Sequence, residues 1–276
     1  MSDFNQKIIC LLTDFGVRGQ HYVASMKGVI LKINSTIKII DLSHQVTPYS
    51  IIETSFILRA TYKYFPRGTV FIIVVDPGVG SPREILALQT NSNYYFIGPN
   101  NGIFSSFFAD QIIECVEIQN DKYFIKPTSN TFHGRDIMAP IGAYLLSGIP
   151  LDNFGPKFNL NDLKESSAVY KIDIEKKIIR CSIQYVDSFG NGITNVQIEN
   201  NKIMNTELKV PEGANIKLHI RGKTYEGNYT SQFSDVSPNT LLFLVGSTGF
   251  LEISINQGNA SKTLAFDSGE IITIKL

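Results

Sequence analysis

Hydrophobic side chains in the first 150 residues come in short blocks separated by longer amphipathic stretches. IICLL at 8–12, IKII at 37–40, VFIIVV at 70–75 and YYFI at 94–97 are runs of four to six residues. They are rich in the β-branched and aromatic side chains that suit strands. The block at 70–75 has no polar alternation, so both faces of that strand should be covered, as in the middle of a parallel sheet. Residues 22–33, 48–64 and 137–146 carry helical patterns between and after these blocks. Strands alternating with helices predict an α/β domain over residues 1–150.

The pattern changes near Pro150. PLDNFGPKFNLNDLKESSAV at 150–169 is polar and proline-marked, and residues 151–169 read as a linker. Extended runs follow at 178–186, 193–198, 216–229, 241–245, 250–255 and 271–276, alternating apolar with polar positions and punctuated by Gly and Asn. That texture predicts a small antiparallel β domain over residues 170–276, a barrel or a sandwich.

Composition supports a folded chain without a polyanion surface. Hydrophobic residues make up 43% and charged residues 18%, enough for a sizeable core. The 25 basic residues are balanced by 25 acidic ones with no long run of one sign, which argues against nucleic acid as a partner. No apolar stretch approaches the roughly 20 residues that span a bilayer. MSDFNQK at 1–7 is polar and the run at 8–12 is too short for a signal-peptide core, so a cytoplasmic protein with no membrane partner is expected. Cys10, Cys115 and Cys181 are far apart in apolar surroundings without CxxC spacing; they read as core residues, not as a disulfide or zinc framework.

Polar residues collect immediately after each N-terminal strand. TDFG follows at 13–16, DLSH at 41–44, DPGVGSPR at 76–83 and GPNNG at 98–102. Ligands of open α/β sheets bind beyond the carboxyl ends of the strands, where these loops would converge. None fits the dinucleotide glycine fingerprint or the P-loop, and the acids would repel a pyrophosphate. A nucleoside-like or cationic ligand suits them better. TFHGRD at 131–136 precedes an apolar helical run, with Asp136 the expected N-cap. His133 then lies near a helix N-terminus, where the dipole disfavours its protonation. A neutral imidazole there can accept a proton or orient water, and it can equally be structural. DSFGNG at 187–192 reads as a hairpin turn, or as an aromatic between an acid and an amide that clasps a purine.

Six blocks taken in order point further. TDFG at 13–16 with MKG at 26–28, FPRGTVFIIVVDPGVGSPR at 65–83, IGPNNGIFS at 97–105, TFHGRD at 131–136, VDSFGN at 186–191 and GSTGFLEISINQGNAS at 246–261 together resemble the S-adenosyl-L-methionine hydroxide adenosyltransferases. These are hydrolytic relatives of the fluorinase and chlorinase, and the resemblance runs from about residue 8 to the C-terminus. It implies a Rossmann-like N-terminal domain and a C-terminal β-barrel. It also implies a homotrimer with active sites between subunits, and hydrolysis of S-adenosyl-L-methionine to adenosine and methionine with no metal and no further cofactor. Asp76, Arg83 and His133 match the family's water-activating set. Asp14 matches the acid on the ribose hydroxyls, with Tyr49 flanking the ribose and Thr131 and Phe132 around the reacting carbon. Asn191, Phe233 and the segment from Asn256 match adenine contacts, with Phe189 beside them, while Asp187 and Ser247 match groups holding the methionine end. The chain departs from the pattern at VRGQHY, 17–22, where relatives often carry an acid that helps bind the methionine ammonium. A non-catalytic sensor of the same ligand is the alternative reading. A halogenase is a further one, although the short path from Arg83 to the strand at 94 and Gly134 in place of a halide-gripping hydroxyl both argue against it.

Overall fold

The computed structural model describes residues 6–105 and 111–276; most of the polar stretch at 1–7 lies outside them. The chain divides into two compact units, Met1–Ser166 and Ser167–Leu276.

Six strands of the first unit make one sheet: β1 (Ile8–Thr13), β2 (Lys38–Ser43), β3 (Val70–Val74), β4 (Ile85–Thr90), β5 (Tyr95–Pro99) and β6 (Ile112–Glu117). Their order is β2-β1-β3-β5-β4-β6. The first four in that order run parallel, whereas β4 is antiparallel to both β5 and β6. The sheet is Rossmann-like and mostly parallel, as the alternation of strands and helices requires. Val70, Phe71, Ile72 and Ile73 are all 0% exposed, which explains the absence of polar alternation in β3. β4 and β6 escape the pattern analysis because they form the antiparallel end of the sheet, where β6 carries the partly exposed Glu114 and Glu117.

Helix α1 (Gln20–Ile33) buries Val23, Met26 and Ile30, one face at three- and four-residue spacing. Helix α2 (Ile51–Thr61) begins later than its apolar pattern predicts. The Ser50 hydroxyl accepts the Glu53 N–H at 3.4 Å as N-cap, and Tyr49, with φ 67°, is left in the preceding turn. Helix α3 (Ala139–Leu146) continues a one-turn π segment, Gly134–Met138.

Residues 151–154, the start of the stretch read as a linker, form a 3-10 turn whose Leu151 and Phe154 enter the core of the first unit. The backbone then tracks β6: Glu117 N–H donates to Pro156 O, and Phe158 N–H to Cys115 O. Exposed Asp152 and Asn153 between the two apolar anchors give this segment its loop-like composition.

The second unit contains β7 (Tyr170–Asp173), β8 (Ile178–Val186), β9 (Gly192–Glu199), β10 (Lys202–Ile203), β11 (Asn215–Ile220), β12 (Lys223–Tyr229), β13 (Leu241–Val245), β14 (Phe250–Ile255) and β15 (Ile271–Lys275), with the short helix α4 (Ala260–Leu264) before β15. The order β9-β14-β13-β12-β11-β15-β8 closes because β8 also pairs with β9. The result is a seven-stranded barrel, with β7 and β10 added at its rims. Every pair in the barrel is antiparallel except β12 with β13. The run at 216–229 splits into β11 and β12 at Arg221-Gly222, since Ile220 pairs with Lys223 across a two-residue turn. Inward positions such as Ile183, Val196, Phe243, Leu251, Ile253 and Ile274 fill the interior. All three cysteines are buried and free. Burial pushes the Cys10 and Cys115 thiols up to about 12 and raises that of Cys181 as well.

Because Phe154 is 0% exposed, Phe154→Ala should cost about 3–5 kcal/mol of stability. Urea denaturation monitored on the first unit checks this, and a loss near zero would mean that residues 151–154 do not belong to its core.

Candidate functional site

The parallel strands of the first unit deliver two of their loops to one pocket. It has a volume of about 70 Å³ and is lined by Asp14 after β1, Asp76 after β3, and Thr131, Phe132 and His133 before the π segment. Arg83 reaches it by pairing with Asp76, its Nη1 donating to Asp76 Oδ1. The same oxygen accepts the Gly78 N–H at 2.8 Å, so the loop folds around one carboxylate. Glycine at 78 leaves room for the guanidinium: a Cβ there would lie 2.7 Å from Arg83 Nη2 and displace it.

Asp14 Oδ2 accepts the Tyr49 N–H at 2.9 Å, which ties the loop after β1 to the turn before α2. Burial raises the Asp14 pKa and the nearby charge of Asp76 adds to it, while backbone hydrogen bonds act against both. The Tyr49 ring is 64% exposed and does not line the pocket. Phe132 packs edge-on against Phe15 and Tyr22, with ring centroids 5.9 and 5.1 Å away, and the Arg135 guanidinium lies 5.1 Å from its centre. His133 is half-buried at the head of the π segment, and its imidazole makes no hydrogen bond among the described residues. π turns recur at functional sites, where they re-aim a side chain.

Asp136 is not the N-cap expected from its position. It lies inside the π segment at 0% exposure, and its carboxylate accepts Arg135 Nε–H at 2.6 Å and the Ser129 N–H at 2.8 Å. Burial works against its ionisation, but Arg135, the Ser129 N–H and His133 outweigh that and hold it below the usual carboxylate range. It therefore anchors the 129–136 loop from within. The remaining two strand-end loops brace rather than line the pocket. His44 Nδ1 lies 3.0 Å from Thr13 Oγ1, and Asn101 Nδ2 donates to Val75 O at 2.9 Å. The segment at 17–22 has no acid and opens with a 3-10 turn, Val17–Gly19, and His21 is exposed against Tyr22.

The other candidate residues meet on the second unit. Asp187, Phe189, Asn191, Phe233, Ser247 and Asn256 all line one open cleft of about 660 Å³. Phe189 and Phe233 are 74% and 39% exposed, an unusual amount of bare aromatic surface for one cleft. The β8–β9 connection is a turn organised by Asp187. Its Oδ1 accepts the N–H groups of Phe189 and Asn191, and its Oδ2 the Asn191 side-chain amide, each at 2.9 Å. The hairpin reading of DSFGNG holds, and the turn leaves the Phe189 ring bare at the edge of the cleft. Asn256 Nδ2 donates to Val236 O at 2.7 Å and so fixes the loop that carries Phe233. Glu252 also lines the cleft. Pattern reading misses it because a glutamate on an alternating strand looks like an ordinary outward position. The signal is its environment: burial, with Asp187 adding, pushes its carboxyl up to about 7.

Comparison with known proteins matches both units. The model of the SAM hydroxide adenosyltransferase N-terminal domain matches residues 9–155, and that of the C-terminal domain matches residues 181–273. A protein of Methanocaldococcus jannaschii named (R)-S-adenosyl-L-methionine hydrolase is 36% identical, over 97% of this chain and 95% of its own length. A fluorinase of an Actinoplanes species is 25% identical over 68% of this chain and 71% of its own. The crystal structure of an uncharacterized conserved protein from Thermotoga maritima has a TM-score of 0.85 at 34% identity, covering 97% of this chain and all of that one.

Gly78→Ala should push the Arg83 guanidinium off Asp76 and cost about 1–3 kcal/mol, the usual scale for overpacking. A crystal structure of the variant with the ion pair intact would show that glycine at 78 is not what permits it.

Proposed function

Because the chain belongs to the SAM hydroxide adenosyltransferase family, we propose that it hydrolyses (R)-S-adenosyl-L-methionine to adenosine and L-methionine. The observation that carries this reading is the Asp76–Arg83 ion pair beside the half-buried His133 at the end of a parallel sheet.

The chemistry suits those residues. The leaving group is a sulfonium that departs as a neutral thioether, so no general acid or Lewis acid is needed to expel it. What the reaction needs is a water held in line behind C5′, about 3–3.5 Å away, and shielded from bulk solvent. The water oxygen bonds to C5′ as the C5′–S bond breaks, with its electron pair passing to sulfur. The proton released goes to the His133 imidazole and from there to solvent. Arg83 stabilises the developing hydroxide, and Asp76 holds the guanidinium in place. Asp14 accepts from the ribose hydroxyls, with Tyr49, Thr131 and Phe132 around the sugar. On the second unit, Phe189, Asn191, Phe233 and Asn256 receive the adenine, and Asp187 and Ser247 the methionine end.

The catalytic set belongs wholly to the first unit and the adenine and methionine groups wholly to the second. That division supports a homotrimer in which each active site combines the first unit of one subunit with the second unit of a neighbour. The balanced charge fits a cytoplasmic enzyme acting on a small molecule, with no nucleic acid, membrane or cofactor partner. A halide nucleophile is the competing chemistry among relatives, and product analysis separates the two.

Arg83→Ala and His133→Ala should each lower kcat by about 10²–10⁴-fold in steady-state assays. Near-normal turnover in both would remove their assigned roles. In oxygen-18 water the label should appear at the 5′ oxygen of adenosine, and formation of 5′-chloro-adenosine at high chloride would reverse the choice of nucleophile. Light scattering on a sizing column should give three times the 30.8 kDa chain mass.

A further inference from the structure

We propose that Glu252 is a specificity-determining residue that receives the α-ammonium group of the substrate's methionine portion. The inference rests on the reading of the second unit's cleft as part of the substrate site. Glu252 sits in the middle of β14, between Leu251 and Ile253, which enter the barrel interior at 1% and 0% exposure. Strand alternation therefore turns Glu252 outward into the cleft, opposite Leu244 of β13 and Ile193 of β9. Its carboxyl folds over Gly246, where a Cβ would lie 1.6 Å from Oε1; only a glycine leaves it this place.

Among the described residues, Glu252 accepts no hydrogen bond and forms no ion pair. Asp187, the other acid in the cleft, already accepts three N–H groups of its own turn. No lysine or arginine lines the cleft, and the residues of β13, β9 and the 246–249 turn that surround Glu252 are apolar or hydroxylic. Asp187 is the charge that acts on it. A half-buried carboxyl with one like charge for company and no donor is a site for a cation that brings its own N–H groups. The sulfonium has none, whereas the ammonium has three.

Ionisation gives the reading a pH signature. The Glu252 carboxyl is pushed up from 4.5 to about 7, so below that pH it must lose a proton before it can pair with the ammonium. KM for the natural substrate should then fall as pH rises through about 7. The unliganded fold behaves oppositely: a raised acid costs stability progressively from about 4.5 to about 7, and in full above that. Glu252→Gln should remove both effects and, above pH 7, melt no lower than the parent, which checks that the variant folds.

The decisive experiment measures kcat and KM for parent and Glu252→Gln, on S-adenosyl-L-methionine and on its analogue lacking the α-amino group. Glu252→Gln should raise KM for the natural substrate by about 10–100-fold, the worth of one charged hydrogen bond, with kcat within about threefold. It should leave KM for the des-amino analogue unchanged. An equal KM penalty on both substrates, or none on either, overturns the assignment. A parent protein that turns over neither substrate overturns the hydrolase reading itself, a result visible without the variant.

Discussion

One ion pair organises the first unit's pocket. Strand β3 is buried on both faces until it reaches Asp76, where the chain leaves the sheet and the apolar environment ends. A carboxylate at that boundary needs a partner, and Arg83 returns along the loop to supply it. Gly78, whose N–H donates to the same carboxylate and which carries no side chain, lets the guanidinium lie close. The pair fixes the shape of the loop, and the loop presents a held cation beside His133 without further scaffolding. Asp14, raised by burial and by the charge of Asp76, shows the cost of placing a second acid nearby.

The second unit solves a different electrostatic problem. Its barrel interior is mainly apolar, with the hydroxyl of buried Thr194 spent on the Leu251 carbonyl, so the polar groups of the cleft come from the outer face and the connecting turns. There Asp187 builds its own turn and Glu252 projects from a strand, giving a negative cleft edged by exposed aromatic rings. Flat π surfaces beside the one carboxyl of the cleft without a donor among the described residues, Glu252, match the proposed ligand, planar at one end and cationic at the other. The first unit's pocket combines the acids Asp14 and Asp76 with a guanidinium already paired to one of them, whereas the cleft holds two acids and no lysine or arginine.

Strand positions and fold class were legible in the sequence wherever burial was extreme. β3 reads correctly because both its faces are covered, β8, β13 and β14 because they are short runs rich in apolar side chains, and β11 because its burial alternates strictly. β4 and β6 were not, since an antiparallel sheet end tolerates polar side chains and loses the continuous apolar signature. Residues 151–154 look like a connector because two exposed polar residues separate the anchors Leu151 and Phe154. The polar loops after β1 and β3 announced a site, and the placement of His133 at a helix start followed from local pattern alone. The role of Asp136 did not, because its partner Ser129 lies seven residues back in an irregular loop. Glu252 was illegible for a related reason: its significance depends on Gly246 and Asp187, neither of them its neighbour in sequence.

The single parallel step in the barrel has a consequence for how the cleft arose. Parallel neighbours cannot be linked by a tight reversal, so the chain leaving Tyr229 must travel back the length of a strand before Leu241 can begin. That detour carries Phe233, braced by a reciprocal cap between Gln232 and Asp235. A barrel with uniform up-and-down wiring would have had a short turn here and no place to mount the ring. The irregularity in wiring supplies the spare length on which the Phe233 ring stands at the edge of the cleft.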